Sequence, residues 1–384
     1  MEQALPLTGI RVLDFGQYIS GPVTGVLLAE MGAEVIKIEP PEGDPFRKWE
    51  DGLSATFVAF NRGKKSVVLD LKAEYDREKL YQLTKTCDIL IENFRPGVTQ
   101  NLKIDYQTLS QLNPGLIYCS ITGFGSAGPY ANLPAYDGVA LGYSGMASLL
   151  LDPDHPQMHG PAMADAITGH SAAFSILAAI IDRSRTNNGQ LLELSMFGSL
   201  VHFMHSAVSK RIIEQREEGA YSRVRSSQAF VLTGSDRKSL IIHLSSPTKF
   251  WNGLCQAISR PDLLTDPKFL KRSDRQANYT LLEIELQKTF ATRTRDQWLQ
   301  LLSENQVPSA PVNSIGEALN DEQFKLLGII DTVEEPGFGL MPRIRPPAHW
   351  GGKPLPPISR APLLGEHNQA IFAEIASKSS SGSN

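Results

Sequence analysis

The sequence predicts an α/β protein, with a doubly wound parallel sheet in a large domain and a smaller α+β domain beside it. Three observations predict it. Short apolar runs alternate with helical stretches from Ile10 to Phe124. The segments between runs are long enough for right-handed crossovers, which parallel strands require. Near Ser209 the texture turns charged, and two β-prone runs then flank a Gly/Ser/Asp turn. The large domain is assigned to 1–208 and 327–384, the small one to 225–313, with linkers at 209–224 and 314–326.

Along the chain, "IRVLDF" reads as a buried strand, "GQYISGP" as a loop, "VTGVLLAEMG" as a helix stopped at Gly32, and "AEVIKIEPP" as a second strand. "KSVVLDL", "CDILIENF" and "LIYCSITGF" add strands, with "AEYDREKLYQLTKT" a helix among them. A helix is expected from about Val139 to Leu151, and another from Ser171 to Ile181. "GQLLELSMFGSLVHFM" reads as a strand passing into a helix. In the small domain, "QAFVLTGSDRKSLIIHLS" reads as a hairpin and "PTKFWNGLCQAI", "NYTLLEIELQKTFATR" and "RDQWLQLLSEN" as helices. From Leu327 the chain is Pro-rich and reads as irregular, packing back on the large domain. A helix, "GEHNQAIFAEIA", and a tail expected to be disordered complete the chain.

Composition narrows the function. The 384 residues are 41% hydrophobic and carry a formal charge of −4, which argues against a nucleic-acid or anionic-membrane binder. The three cysteines lack paired or metal-type spacing, which fits reduced thiols in a cytoplasm. No metal site is expected. "MEQALPLTGI" lacks the pattern of a signal peptide, and no apolar run reads as a membrane span.

Several segments carry possible chemistry. Gly16 and Gly21 are wrongly spaced for a dinucleotide fingerprint, while Ser20 and Pro22 suit a helix start. Arg62, Lys64 and Lys65 around Gly63 suit either a phosphate or a solvated turn. Asn93, Phe94 and Arg95 end a strand, at the edge where such sheets bind ligands; a plain strand end closed by Pro-Gly is the alternative. No G-x-S-x-G elbow is present. Asp165 stands in "GPAMADAITGH", ahead of an apolar helix. Either it caps that helix, or Thr168 caps and Asp165 is free for chemistry.

Six segments, in one order, resemble the family III CoA-transferases (CaiB/BaiF): "LTGIRVLDFGQYISGP", "MGAEVIKIEPPEGDPFRKW", "NRGKKSVVLDLK", "ENFRPGV", "ITGFGSAGPYANLPAYD" and "GEHN". That family includes formyl-CoA:oxalate and carnitine CoA-transferases and the related α-methylacyl-CoA racemases. The resemblance implies coenzyme A as co-substrate, a small carboxylic acid acceptor and an interlocked homodimer. It puts the nucleophile on Asp165 and CoA contacts on Ile19, Ser20, Phe60, Asn61, Arg62, Gly63, Asn93, Phe94, Arg95, Pro134, Ala135, Tyr136 and Asp137. Asn101 and Pro40 fall where the oxalate enzyme has arginines, and Arg47 stands near as a replacement for the second.

The implied reaction moves CoA through aspartyl anhydride and aspartyl-CoA thioester intermediates. Small neighbours such as Ala164, Ala166 and Gly169 are expected to admit substrate. Racemisation needs two acid/base groups. The racemases place a His-Asp pair where this chain has Tyr136 and Asp137, and a tyrosine of pKa about 10 is a poor base. His170 is the substitute such a reading would need. Intramolecular CoA transfer on one substrate is a further alternative. The small domain shows no Gly-rich run of the kind the oxalate enzymes carry, which lowers oxalate as acceptor.

Overall fold

The computed structural model describes residues 5–49, 54–245, 248–335 and 338–381. The chain divides into two compact units, one of residues 1–147, 158–208 and 327–384, the other of 148–157 and 209–326. Ser148–Gln157, expected in the large domain, therefore groups with the small one, where the Tyr221 hydroxyl bonds Asp152. The segments expected as linkers also belong to that unit and contain helices Ser222–Ser227 and Ile315–Asn320.

The large unit is built on a six-stranded sheet: β1 (Arg11–Asp14), β2 (Glu34–Glu39), β3 (Lys64–Val68), β4 (Ile89–Glu92), β5 (Ile117–Thr122) and β6 (Gln190–Ser195). The order is β3-β2-β1-β4-β5-β6 and every pairing is parallel. This is the Rossmann-like order, whose direction reverses between β1 and β4. Both faces are covered, which is why the strands read as continuous apolar runs rather than alternating ones. Val12, Ile89, Ile91 and Cys119 pack on one face with Ala172, Ile176 and Ala179. Leu13, Leu90 and Tyr118 pack on the other with Leu80 and Leu83.

Three helices differ from the sequence expectation. α1 spans Ser20–Glu30 and starts earlier than expected, with Ile19 at its N-cap. The helix expected at Val139–Leu151 is broken by Gly145 at φ +84° into Asp137–Ser144 and Ala147–Leu150. The apolar helix runs over Met163–Thr186, far longer than its apolar core suggested. By length and composition it is apolar enough to cross a membrane. Its Ala172, Ile176 and Ala179 are instead buried against the sheet. Gly169 lets it touch α1, since a Cβ there would lie 2.7 Å from the Val23 side chain. Gly169 thus serves helix packing, and Ala164 is fully buried, so neither makes room for substrate.

The Pro-rich return is less irregular than expected: Ile330–Glu335 and Gly339–Ile344 pair antiparallel. Its "GEHN" segment satisfies the free edge of β3. Asn368 Oδ1 accepts from the Val68 amide at 2.8 Å, and the His367 amide donates to the Ser66 carbonyl at 3.0 Å. A covered edge cannot recruit another strand. The chain ends in the helix Asn368–Ser381, and the last three tail residues, 382–384, lie outside the described residues.

The small unit has a three-stranded antiparallel sheet, β7 (Ala229–Thr233), β8 (Ser239–His243) and β9 (Ser309–Pro311). The predicted hairpin is β7–β8. Its core stacks Phe230 on Tyr279, with ring centroids 4.6 Å apart, and includes Leu254, Leu286 and Trp298.

Under the carboxyl edge of the large sheet lies a buried polar network. Lys64 of β3 pairs with Asp14 of β1 at 2.6 Å, both side chains fully buried. The Lys64 ammonium also donates to the Pro22 carbonyl at 2.9 Å and Asn61 Oδ1 at 3.0 Å. Removing one partner of such a pair leaves an uncompensated buried charge. Lys64→Ala is therefore expected to destabilise the protein by about 3–5 kcal/mol. Denaturant titration of Lys64→Ala, Asp14→Asn and the double variant checks it. The double variant should be less destabilised than the two single losses added together.

Candidate active site

The reversal between β1 and β4 opens a crevice at the carboxyl ends of the strands. The loop after β1 is folded tightly into it. Gly16 and Gly21 nearly touch, since a Cβ on either would lie 2.7 Å from the other's backbone. Tyr18 between them takes φ +60°. Asp14 accepts the Gly16 amide at 2.7 Å, and Lys37 donates to the Gly16 carbonyl at 2.7 Å. Lys37 is itself buried and paired with Asp44 at 2.9 Å. These glycines serve the folding of the loop.

The loop after β4 closes the crevice through Asn93. Its amide makes two 2.8 Å bonds with the Gln17 backbone, accepting the N–H and donating to the carbonyl. The same Nδ2 donates to Ser20 Oγ at 3.3 Å. The loop is supported from below by Glu92, which is buried and accepts the Phe94 amide at 2.8 Å. Burial pushes the Glu92 carboxyl up to about 7.

Asp165 faces this crevice from the first turn of the Met163–Thr186 helix. It does not cap that helix, and neither does Thr168, whose hydroxyl bonds the Ala164 carbonyl at 2.7 Å inside it. The cap comes from another element. Asp137 Oδ1 accepts the Ala164 amide at 2.6 Å and the Asp165 amide at 3.3 Å. Ser20 of α1 lines the same crevice beside Asp165. Burial first and the nearby Asp137 charge second push the Asp165 carboxyl up to about 6, while Ser20 pulls it down.

Asp165 lines a recess of about 320 Å³. With it stand Ser20, Asn93, Phe94, Arg95, Ala135 and Tyr136 of the expected residues. Gln17, Tyr18, Thr122, Gly123 and Met196 complete much of the wall and were missed by the sequence reading. Their shared signal is position, since most come directly after β1, β5 or β6. Gly123 is required there, as a Cβ would lie 2.2 Å from that of Ala135. Tyr136 is 60% exposed and meets the Tyr18 ring edge-on, with centroids 6.1 Å apart. A second recess of about 220 Å³ shares Gln17 and Phe94 with the first and runs past the ends of β2 and β3 to Leu69, Asp70, Leu71 and Lys72.

The other expected residues lie elsewhere. Ile19 packs on Phe46, Phe57 and Val58, and Phe60 stacks on Phe46 at 6.2 Å. Asn61 is buried against Lys64. The basic turn is neutralised inside the chain: Arg62 pairs with Glu30, Lys64 with Asp14 and Lys65 with Glu34. Gly63 takes φ +76° and bonds the Ser359 carbonyl at 2.8 Å. Arg47 has both Nε and Nη2 on Glu39 at 2.7 Å and lies 3.7 Å over the Phe57 ring. The phosphate grip expected of Arg62 and Arg47 thus meets guanidinium groups already held by carboxylates. Asn101 and Pro134 are exposed and outside the recess, and Asp137 stands behind Asp165. His170 is exposed on its helix, with Nδ1 2.8 Å from the Ala166 carbonyl.

Known proteins resemble this chain over nearly its whole length. The family model described as CoA-transferase family III matches residues 7–368. The succinate–glutarate CoA-transferase of Agrobacterium fabrum is 33% identical, with 96% of each chain covered. The acetyl-CoA:oxalate CoA-transferase of Acetobacter aceti is 34% identical, with 82% of each covered. A crystal structure of a CaiB/BaiF family protein from Brucella suis superposes with a TM-score of 0.88 at 33% identity, covering 97% of this chain and 100% of that one. The six-stranded parallel fold and the matches agree, and the chain belongs to the family III CoA-transferases.

Proposed function

We propose that this protein is an acyl-CoA:carboxylate CoA-transferase whose nucleophile is Asp165. The observation that carries the reading is a half-buried carboxylate at the crevice of a doubly wound sheet, in a recess that continues into a second one. Relatives named for CoA transfer to or from succinate, glutarate and oxalate support small carboxylic acids as acceptors. The pantetheine and nucleotide of CoA would run along the two recesses. The cations near that path without an ion pair among the described residues are Arg95 and Lys72, both exposed.

The Asp165 carboxylate attacks the thioester carbonyl, the C–S bond breaks, and CoA thiolate leaves. The thiolate attacks the Asp165 carbonyl of the resulting anhydride and expels the donor acid. The acceptor carboxylate then displaces the thiolate, which returns to the acceptor's acyl carbon and frees Asp165. Racemisation has less support. Among the described residues lining the recess there is no histidine. With acyl-CoA and hydroxylamine, the Asp165 peptide should gain a hydroxamate, read by mass spectrometry, and Asp165→Ala should abolish both labelling and transfer.

The nucleophile must be ionised, so activity should fall as pH drops through about 6, where Asp165 takes up its proton. Asp137→Asn keeps an oxygen for the Ala164 amide but removes the like charge. Its acidic limb of kcat/KM should move to lower pH.

The reading includes a cytoplasmic homodimer. The cysteines are all buried and unpaired, as in a reducing compartment. On the Met163–Thr186 helix, Phe174 and Ile181 are 75% and 62% exposed, an apolar strip suited to a second copy of the chain. Phe174→Glu should convert a dimer to a monomer in size-exclusion chromatography with light scattering.

A further inference from the structure

We propose that the acid taken up and released at Asp165 carries a single carboxylate on an apolar hydrocarbon body, rather than the two carboxylates of succinate, glutarate or oxalate. The proposal rests on the reading of Asp165 as nucleophile and names the substrate class of that site. Its ground is the way strand order divides the recess. The second recess lies at the ends of β2 and β3, and Gln17 and Phe94, after β1 and β4, join it to the first. In the proposed function CoA occupies that side. The acyl group is left with the side at the ends of β5 and β6. There the wall is Ile121, Gly123, Ala131, Leu133, Ala135 and Met196, none of them polar. The donor acid leaves before the acceptor arrives, so this one side receives both acids.

The polar groups beside this wall offer a second carboxylate little. Thr122 Oγ1 donates to the Leu194 carbonyl at 3.2 Å and accepts the Gly125 amide at 2.9 Å, so its one proton is spent. The phenolic hydroxyls of Tyr18 and Tyr136 carry no positive charge. Next to Gly123 and Ala131 in the chain, Phe124 and Tyr130 pack with Tyr143, their ring centroids 4.9 to 5.8 Å apart. The segments that build the wall thus continue into a cluster of aromatic rings, a surface that takes apolar groups.

Charge points the same way. The sequence has no lysine or arginine from residue 104 to 182, and none from 186 to 209. Those stretches supply β5 and its loop, β6 and nearly all of the Asp165 helix. Arg183 and Arg185 stand at the far end of that helix, and 18 residues at 1.5 Å each put Arg183 about 27 Å from Asp165. They are paired with Asp88 and Asp182. The same stretches hold His155, His159, His170, His202 and His205, and none of these lines the recess. Arg95 is the one lysine or arginine among the described residues that do, and it follows β4, on the CoA side. A second carboxylate at β5 and β6 would therefore meet the like charges of Asp165 and Asp137, and would lose its hydration against Leu133 and Met196. A hydrocarbon body gains there by leaving water.

The test is a matched pair of donors, valeryl-CoA and succinyl-CoA, whose acyl groups are close in length and differ in charge. Each is mixed with the full-length enzyme at about pH 8, above the ordinary titration range of histidine. No acceptor is added, and the CoA thioester on Asp165 is followed by intact mass. Valeryl-CoA should form it at least about 100-fold faster, the scale on which juxtaposed like charges discriminate. Valerate should likewise exceed succinate as acceptor in kcat/KM. Leu133, 39% exposed, is a wall position that can take a cation without opening the core. Leu133→Arg should raise the rate with succinyl-CoA about 10-fold and lower that with valeryl-CoA, at an unchanged melting temperature. Wild-type enzyme that reacts with succinyl-CoA as fast as with valeryl-CoA overturns the proposal and leaves the nucleophile reading intact. So does a Leu133→Arg enzyme of normal melting temperature in which the ratio of the two rates does not move. If neither donor leaves CoA on Asp165, and hydroxylamine leaves no hydroxamate there, the nucleophile reading itself falls, and this proposal with it.

Discussion

Two lysines without access to water hold the carboxyl edge of this sheet together. Lys64 reaches Asp14, and Lys37 reaches Asp44, each beneath the loop after β1. Removing such charges from water costs several kcal/mol per ion, and pairing offsets that only when the remaining donors are also satisfied. Further partners are the Pro22 carbonyl and Asn61 Oδ1 for Lys64, the Gly16 carbonyl for Lys37 and the Gly16 amide for Asp14. The requirement runs in both directions. The lysines need those carbonyls, so residues 16–22 have one place to be, and Ser20 is delivered to Asp165 as a consequence.

The state of Asp165 is a contest decided locally. It lies in the first turn of its own helix and beside the start of α1, and such helix ends favour the charged form by up to about 2 kcal/mol each at partly buried sites. Burial and Asp137 oppose them and win, since the carboxyl ends at about 6 rather than at its usual value. Asp137 plays both sides. It fixes the start of the Asp165 helix through two amides and raises the energy of the carboxylate it positions. A carboxylate that is destabilised yet still ionised near neutral pH is a better nucleophile and a poorer leaving group than a relaxed one.

The sheet was legible because both its faces are buried. "RVLD", "ILIE" and "IYCSIT" read as strands with little ambiguity, and the crevice is implied by the order of strands and crossovers. Asp165 stood out for a like reason, as a charge among small apolar neighbours. What the sequence did not reveal were partners. Lys64 and Lys65 read as a phosphate site or a solvated turn because Asp14 and Glu34 are distant in sequence, and nothing local couples β1 and β2 to β3. Ser20 read as a helix cap because its composition suits one. Only the tertiary approach of the Met163–Thr186 helix sets Asp165 beside it. Thr168 read as a cap for lack of Asp137, which lies 27 residues before the Ala164 amide it bonds. The paired strands of the Pro-rich return were hidden by prolines, one of which, Pro342, sits within the hairpin.

Pairing so many basic groups internally has a consequence for ligand binding. The chain is acidic overall, at −4, and CoA carries several phosphate charges. Random surface lysines would attract such a ligand in any orientation. Here the cations near the crevice are mostly neutralised, including Arg47, Arg62, Lys64 and Lys65. Arg95 and Lys72 are left to hold phosphates on the proposed path, while Asp165 and Asp137 make the other end of the recess negative. That end repels phosphate and tolerates a thioester, which is uncharged. A ligand with anionic groups at one end and a neutral acyl group at the other is therefore aligned by charge alone, before any contact specific to CoA is made. In the proposed reaction orientation and reactivity then share one cause, because the carboxylates that would keep phosphate away from the acyl end are Asp165, the proposed nucleophile, and Asp137, whose charge raises its pKa.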